Sequence, residues 1–463
     1  MKILTQKKIL IGLPILIAVI GLAIMKSNIP AKVETYLARK GYIKSSTPTK
    51  IIIDSAYYQF EMVPYETTFK LKPGNAGFEK DTQISDKGAP EFSSKATYGG
   101  LELLGEKLFF ADGDGKVLLI KDDQFIVGPQ IKLPTAKSEF VKEFGDKGVG
   151  EDIHYKSAYF GIKDVLIIPK TKDLSQVFVS STDYDSSKKC YFLSVFENEI
   201  SISKNQFSSD DWKKLYSTKP CLSKHQGSKY FVTGSPFLGQ SAGGRLSTDG
   251  NGYVYLATGD FYFDGVNEKS VLQKPDSDYG KLLQISIKKV GTVKPIAQGF
   301  RNPQGLTFVG NGFYTTEHGP QGGDELNFVA LNHPFYDFGW PSATFGTHYG
   351  SNHWPLDPNN NNHFTKKFTL PKYTWIPSIG ASNVIQVKET EKLSRWKNNL
   401  LVASLRGQSL YRGAFDNENN IYLMEYIKIG FRIRDLIQVN ESFYLLEDSP
   451  TPTLWKLTLI QRP

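Results

Sequence analysis

Cysteine is nearly absent, with 2 in 463 residues, and methionine is scarce, with 4. Two cysteines cannot build a zinc framework, whose sites take four side-chain ligands. For Cys190 and Cys221 the sequence leaves both a disulfide and two free thiols open. No long lysine or arginine run occurs despite a net charge of +8, because acids are interspersed with the bases. That pattern lacks the basic stripe of a nucleic-acid binder. It leaves either a mildly basic surface or a few arginines gathered around an anion. No stretch in mid-chain reads as an interdomain linker, which argues against a pair of β-sandwiches.

What is present points to strands. Aromatic residues make up 13%, with 41 glycines and 24 tyrosines, a composition that suits an all-β chain with many turns. One pattern recurs: a short apolar run, a turn-rich gap, and a second apolar run. Copies fall at residues 107–120, 176–196, 253–265 (completed by "KLLQISI"), 312–331, 399–415 and 442–460. Each reads as two strands of a small antiparallel sheet. Six copies predict a six-bladed β-propeller around a central channel, spanning 51–463.

The N-terminus differs. Lys2, Lys7 and Lys8 precede an uncharged run from Ile9 to Met25. Its length lies at the lower limit for a spanning helix. No A-x-A-like cleavage site follows, so residues 1–26 are expected to be a transmembrane anchor helix, with a secretory signal as the other reading. Residues 27–50 read as a polar stalk. The flanking lysines favour a cytoplasmic N-terminus, which would place an inner-membrane-anchored propeller in the periplasm or at the cell exterior. The loop at 342–370, with "LDPNNNNHF", is expected at the surface as a lid, a partner contact or a tolerated insertion.

Two polar turns stand out, "GFRNPQGLTF" (299–308) and "TEHGPQGGDELNFV" (316–329). Neither reads as a strand. Together with "FRIRDL", "GIKDVLIIP", "GGRLSTDGNGYVYLATGD", "WIPSIGAS" and "ASLRGQSLYR", they resemble the soluble aldose dehydrogenase family, the glucose/sorbosone dehydrogenases. The resemblance runs over roughly residues 95–460. It implies a six-bladed propeller that uses pyrroloquinoline quinone (PQQ) and calcium to oxidise a sugar or alcohol, passing electrons to a membrane quinone or a cytochrome.

The residues suit that chemistry. PQQ is a flat tricarboxylate quinone, and the planar fork of arginine matches carboxylates. The resemblance implies cofactor contacts from Arg301, Asn302, Ser378, Arg406, Arg432 and Arg434. Arg406 stands where the family usually has lysine. Arg432 and Arg434 are two apart and would share one face of a strand. Gly319 and Pro320 would offer backbone carbonyls to calcium, which accepts such oxygens readily. Asp324 and Glu325 match acidic family positions but are assigned to turn stabilisation, not to the metal.

The catalytic base is the departure. The family carries a histidine just before Gly-Arg-Leu, and "GQSAGGRL" (239–246) places Ser241 there, beside Gln240. A serine without an activating partner is a poor base. Tyr159 stands where the family has a glutamine near the cofactor. His154, His225, His318, Glu151 and Asp152 are further candidates that sequence does not rank. Two other readings stay open: a catalytically degenerate propeller binding a glycan, cofactor or protein, and a hydrolase or lactonase. The last would need a channel metal held by carboxylates and asparagines, and no such cluster stands out.

Overall fold

Short β-branched and aromatic runs, broken by glycine, asparagine and aspartate, close into successive antiparallel sheets. A computed structural model describes residues 51–55, 58–64, 71–72, 92–93, 99–122, 124–144, 160–223, 240–265, 269–320, 322–346, 368–416, 418–448 and 453–460. Among these, six sheets of four or five strands form a six-bladed β-propeller. All six sequence repeats fall on the middle strand pair of a blade, for example Lys107–Asp112 with Val117–Lys121 in the first. The last blade is completed by the start of the chain: Gln59–Pro64 pairs antiparallel with Leu454–Ile460. This joins the two ends of the propeller in one sheet and closes the ring.

The innermost strands are Gly99–Leu104, Ile162–Pro169, Gly243–Thr248, Pro303–Val309, Ala381–Gln386 and Ile433–Val439. Each touches the next, and the sixth touches the first. The apolar core lies between blades, not at the axis. Phe109, Val117, Val165 and Val179 fill the seam of blades one and two. Tyr255, Leu282, Phe313 and Val329 fill that of blades three and four. Trp396 packs on Phe60 and Phe443 between blades five and six. Side chains alternate across each strand, so burying both faces needs a neighbour on either side.

At the axis, polar groups from all six blades meet. Arg245 of blade three pairs with Asp164 of blade two at 3.0 Å and Asp435 of blade six at 3.1 Å. Its Nε donates to the Gln304 carbonyl of blade four at 2.7 Å. Asp435 also accepts from the Leu101 N–H of blade one and the Asn383 amide of blade five. Beyond this knot the channel widens into a cavity of about 520 Å³, lined in part by Glu102, Thr307, Gln386 and Gln438. Burial, with Asp164 nearby, pushes the Glu102 carboxyl up to about 8 from its usual 4.5. The folded chain therefore holds a proton here that the unfolded chain gives up. Stability is expected to fall as pH rises from about 4.5 to 8. Glu102→Gln should flatten that limb in urea denaturation followed against pH; an unchanged slope would assign it to other groups.

Cys190 and Cys221 form a disulfide with Cα atoms 5.5 Å apart. No helix among the described residues is long and apolar enough to cross a membrane. The expected anchor (1–26) and stalk (27–50) lie outside the described residues, as do 347–367 of the long loop. Two strands correct the reading of the polar stretches: the turn at 299–302 runs directly into Pro303–Val309, the inner strand of blade four, and the second stretch ends in the strand Asp324–Ala330.

Candidate active site

The inner strands begin around a cavity of about 350 Å³ at one end of the channel. It is lined by Arg301, Asn302, His318, Gly319, Pro320, Ser378, Arg406 and Arg434, which sequence placed together, and by Ser241 and Gln240. Arg432 does not line it. That side chain precedes the inner strand of blade six, is 46% exposed and pairs with Asp448 at 2.7 Å. Arg434 grips the same carboxylate at 2.8 Å from inside. The two arginines hold Asp448 below the ordinary carboxylate range, against the opposing effect of its burial.

The two polar turns hold each other. Arg301, 8% exposed, donates its backbone N–H to Glu317 at 2.6 Å. Its guanidinium donates to the Gly319 carbonyl at 3.0 Å. The same group lies over the rings of Trp340 and Tyr262, 5.6 and 5.9 Å from their centroids. The Asn302 carbonyl accepts from the His318 N–H at 3.1 Å, and its side-chain oxygen accepts from Gln304 at 2.8 Å. His318 is half-buried, desolvation lowers its basicity, and its Nε2 has no hydrogen-bond partner among the described residues.

Asp324 lies beneath the turn. It accepts from Ser378 Oγ at 2.8 Å and from the N–H groups of Gly319, Ile379, Gly380 and Ala381. Those bonds tie blade four to the "SIGA" loop and use up its acceptors. Glu325 is buried, pushed up to about 8, and bonded by Asn327. Both acids are therefore engaged in the scaffold.

Ser241 is buried and held at φ +58, with its hydroxyl 3.3 Å from the Arg301 carbonyl. Phe261 and Tyr262 also adopt positive φ, +49 and +63. Such backbone is strained for non-glycine residues and clusters at functional sites. Asp260, fully buried, accepts from Trp340 Nε1 at 3.0 Å and from the Tyr262 N–H at 2.9 Å. Tyr159, His154, His225, Glu151 and Asp152 lie outside the described residues.

Sequence reasoning passed over Lys163, Tyr262 and Gln304, which also line the cavity. Lys163 had a signal: "IKD" sets two charges side by side in an apolar strand, so alternation turns them to opposite faces. Burial, with Lys137 and Arg434 nearby, pulls its ammonium down to about 7.

The sequence profile of glucose/sorbosone dehydrogenases matches residues 104–456. The chain belongs to the glucose/sorbosone dehydrogenase family. It is 25% identical to the aldose sugar dehydrogenase YliI of Escherichia coli K12 over 322 residues, covering 64% of this chain and 77% of that one. A crystal structure of a glucose dehydrogenase superposes with a TM-score of 0.59 at 22% identity, covering 77% of this chain and 95% of that one. The apo-form of the soluble aldose sugar dehydrogenase from E. coli gives 0.57 at 20% identity, covering 78% and 95%. These structural likenesses carry the fold. Within this glucose/sorbosone dehydrogenase propeller, the family profile spans every residue of the 350 Å³ cavity.

Proposed function

We propose that this chain is a PQQ- and calcium-dependent dehydrogenase of sugars or alcohols, carried on a membrane anchor with its propeller facing the periplasm or cell exterior. The observation that supports it best is the donor set. Arg301, Arg406, Arg434 and Lys163 face one cavity together with the amides of Asn302 and Gln304, and a flat polycarboxylate matches that set. When bound, PQQ supplies a two-electron acceptor. Arg301 and Arg434 would hold its carboxylates, Asn302 and Ser378 would fix its position, and Trp340 and Tyr262 stiffen Arg301.

The Gly319 carbonyl already accepts from the Arg301 guanidinium. A cation at the same oxygen would stand beside that positive charge, so calcium here calls for the anionic cofactor as co-ligand. The site then fits the metal only together with PQQ. A propeller that binds without turnover is the second reading, favoured by a serine, Ser241, at the position of the base; its hydroxyl lies against the Arg301 carbonyl and the Asp260 carboxylate.

Calorimetric titration of the full-length protein with PQQ, in calcium and then in EDTA, tests the proposal, with a panel of aldoses and alcohols added to the complex. Calcium-dependent binding with bleaching of the quinone absorbance is the expected result. Binding without reduction of the quinone by any substrate selects the second reading. Absence of binding refutes the cofactor assignment.

A further inference from the structure

We infer that the channel cavity behind the Arg245 knot is a second ligand site, for a small aliphatic ammonium ion whose charge is held by Glu102. It shares no residue with the 350 Å³ cavity at the other end of the channel, and it stands apart from the dehydrogenase reading.

Strand geometry builds the site. Four side chains of the knot, Asp164, Arg245, Asn383 and Asp435, come from the inner strands of blades two, three, five and six. Two residues further along, on the same strand faces, stand Leu166, Ser247, Ile385 and Ile437. Glu102 and Thr307 complete the layer from blades one and four. All six line the 520 Å³ space. One side chain from each blade therefore supplies a carboxyl, two hydroxyls and three branched aliphatic groups.

The polar members are uncommitted. Glu102 accepts only the N–H of the adjacent Leu103, at 3.3 Å, and forms no ion pair among the described residues. Ser247 is 9% exposed. Its hydroxyl, that of Thr307 and the amide of Gln386 have no hydrogen bond among the described residues. Buried polar groups without a partner are uncommon in folded proteins. Here they converge on one cavity of the size that takes a small molecule.

Charge selects the kind of ligand. Three carboxyls, those of Glu102, Asp164 and Asp435, share one guanidinium, that of Arg245. The two aspartates both act against a charge on Glu102. The other cation of the wall, Lys388, is exposed at the rim. An ammonium ion would offset the surplus negative charge, with the hydroxyls of Ser247 and Thr307 as further acceptors. Half-buried Leu103, Ile385 and Ile437 offer apolar surface to an alkyl body. A bare metal ion fits less well. Calcium takes about six to eight oxygens, and among the described residues no group of three or more acidic, histidine or cysteine side chains is placed to hold a metal. The cavity also has an approach. Leu103, Gly105, Lys388 and Gln438 continue into an adjoining depression of about 610 Å³.

The test titrates the full-length protein by calorimetry with n-butylammonium chloride, n-butanol and sodium butyrate at one ionic strength. Wild type should bind one butylammonium ion, with the alcohol and the carboxylate at least about tenfold weaker, because neither meets Glu102 with a positive charge. Glu102→Gln keeps the side-chain volume and should lose about tenfold or more in butylammonium affinity while its weak affinity for butanol stays. Arg406→Ala, at the other end of the channel, should bind butylammonium within about threefold of wild type. Three results overturn the inference: no binding of butylammonium, butanol or butyrate binding as well as the ammonium ion, or an unchanged butylammonium affinity in Glu102→Gln. A loss in Arg406→Ala equal to that in Glu102→Gln would place the ion in the other cavity and overturn it too. The comparison of the three probes needs no variant, so it decides the matter even with a Glu102→Gln protein that fails to fold.

Discussion

Arg301→Leu is expected to lower affinity for PQQ by roughly a hundredfold while the propeller stays folded. Arg301 is the buried member of the arginine set, aimed into the cavity and stacked over Trp340 and Tyr262. Charge-assisted bonds to carboxylates contribute about 1.5–3 kcal/mol each, and about 2.7 kcal/mol is a hundredfold in affinity. Leucine keeps apolar contact with both rings, and the change removes the positive charge that faces the buried Asp260 and Glu317, so some stability is lost with the affinity. The Gly319 carbonyl also loses its donor, which frees the calcium turn.

The other arginines should grade below it. Arg434→Ala removes a half-buried donor that shares its charge with Asp448. Arg432→Ala should cost least, because that side chain is exposed and outside the cavity, where ion pairs are worth little. Calorimetry on the three variants would give the order. Affinity of Arg301→Leu within threefold of wild type would reject the cavity as the cofactor site.

Arg245→Met should be the most destabilising single change at the axis, by about 3–5 kcal/mol. It leaves two buried carboxylates, Asp164 and Asp435, without their cation and strips a donor from the Gln304 carbonyl. Burial already pushes Asp164 up to about 6 in the presence of Arg245. Without the arginine, Asp164 should rise further and take up a proton on folding. The loss should therefore be smaller at pH 5 than at pH 8, since protonation removes the unpaired charge. Urea denaturation at the two pH values measures this. A loss below about 1 kcal/mol at pH 8 would mean that the axial knot relaxes by admitting water.

The structure also explains why one sequence feature acts at two places. Gln304 follows the Asn-Pro turn and bonds the Asn302 side chain on the cavity side, while its carbonyl accepts from Arg245 on the channel side. The inner strand of blade four thus couples the cofactor cavity to the axial ion pairs. Substitutions at Arg245 should for this reason carry a secondary loss of cofactor affinity.

The sequence alone determined the blades. Strand periodicity and turn residues are local properties, so six apolar pairs could be counted without knowing how they pack. The same holds for the two polar turns, whose glycines, prolines and arginine are adjacent in the chain. Motif resemblance gathered Arg301, Asn302, His318, Gly319, Ser378, Arg406 and Arg434, and the fold brings all of these to one cavity. Tertiary structure alone decided what depends on neighbours distant in sequence. A strand pattern shows two faces but not which one meets the axis, so Arg432 and Arg434 looked equivalent until a bulge at Ile433 and Asp435 separated them. Lys163 looked like one more charge in an apolar run. Its burial, its lowered basicity and its place in the cavity wall arise from Gly244, Lys137 and Arg434, which come from two other blades and a helix. Desolvation and long-range charge exist only once those elements are packed, and they are what separate this lysine from an ordinary surface one.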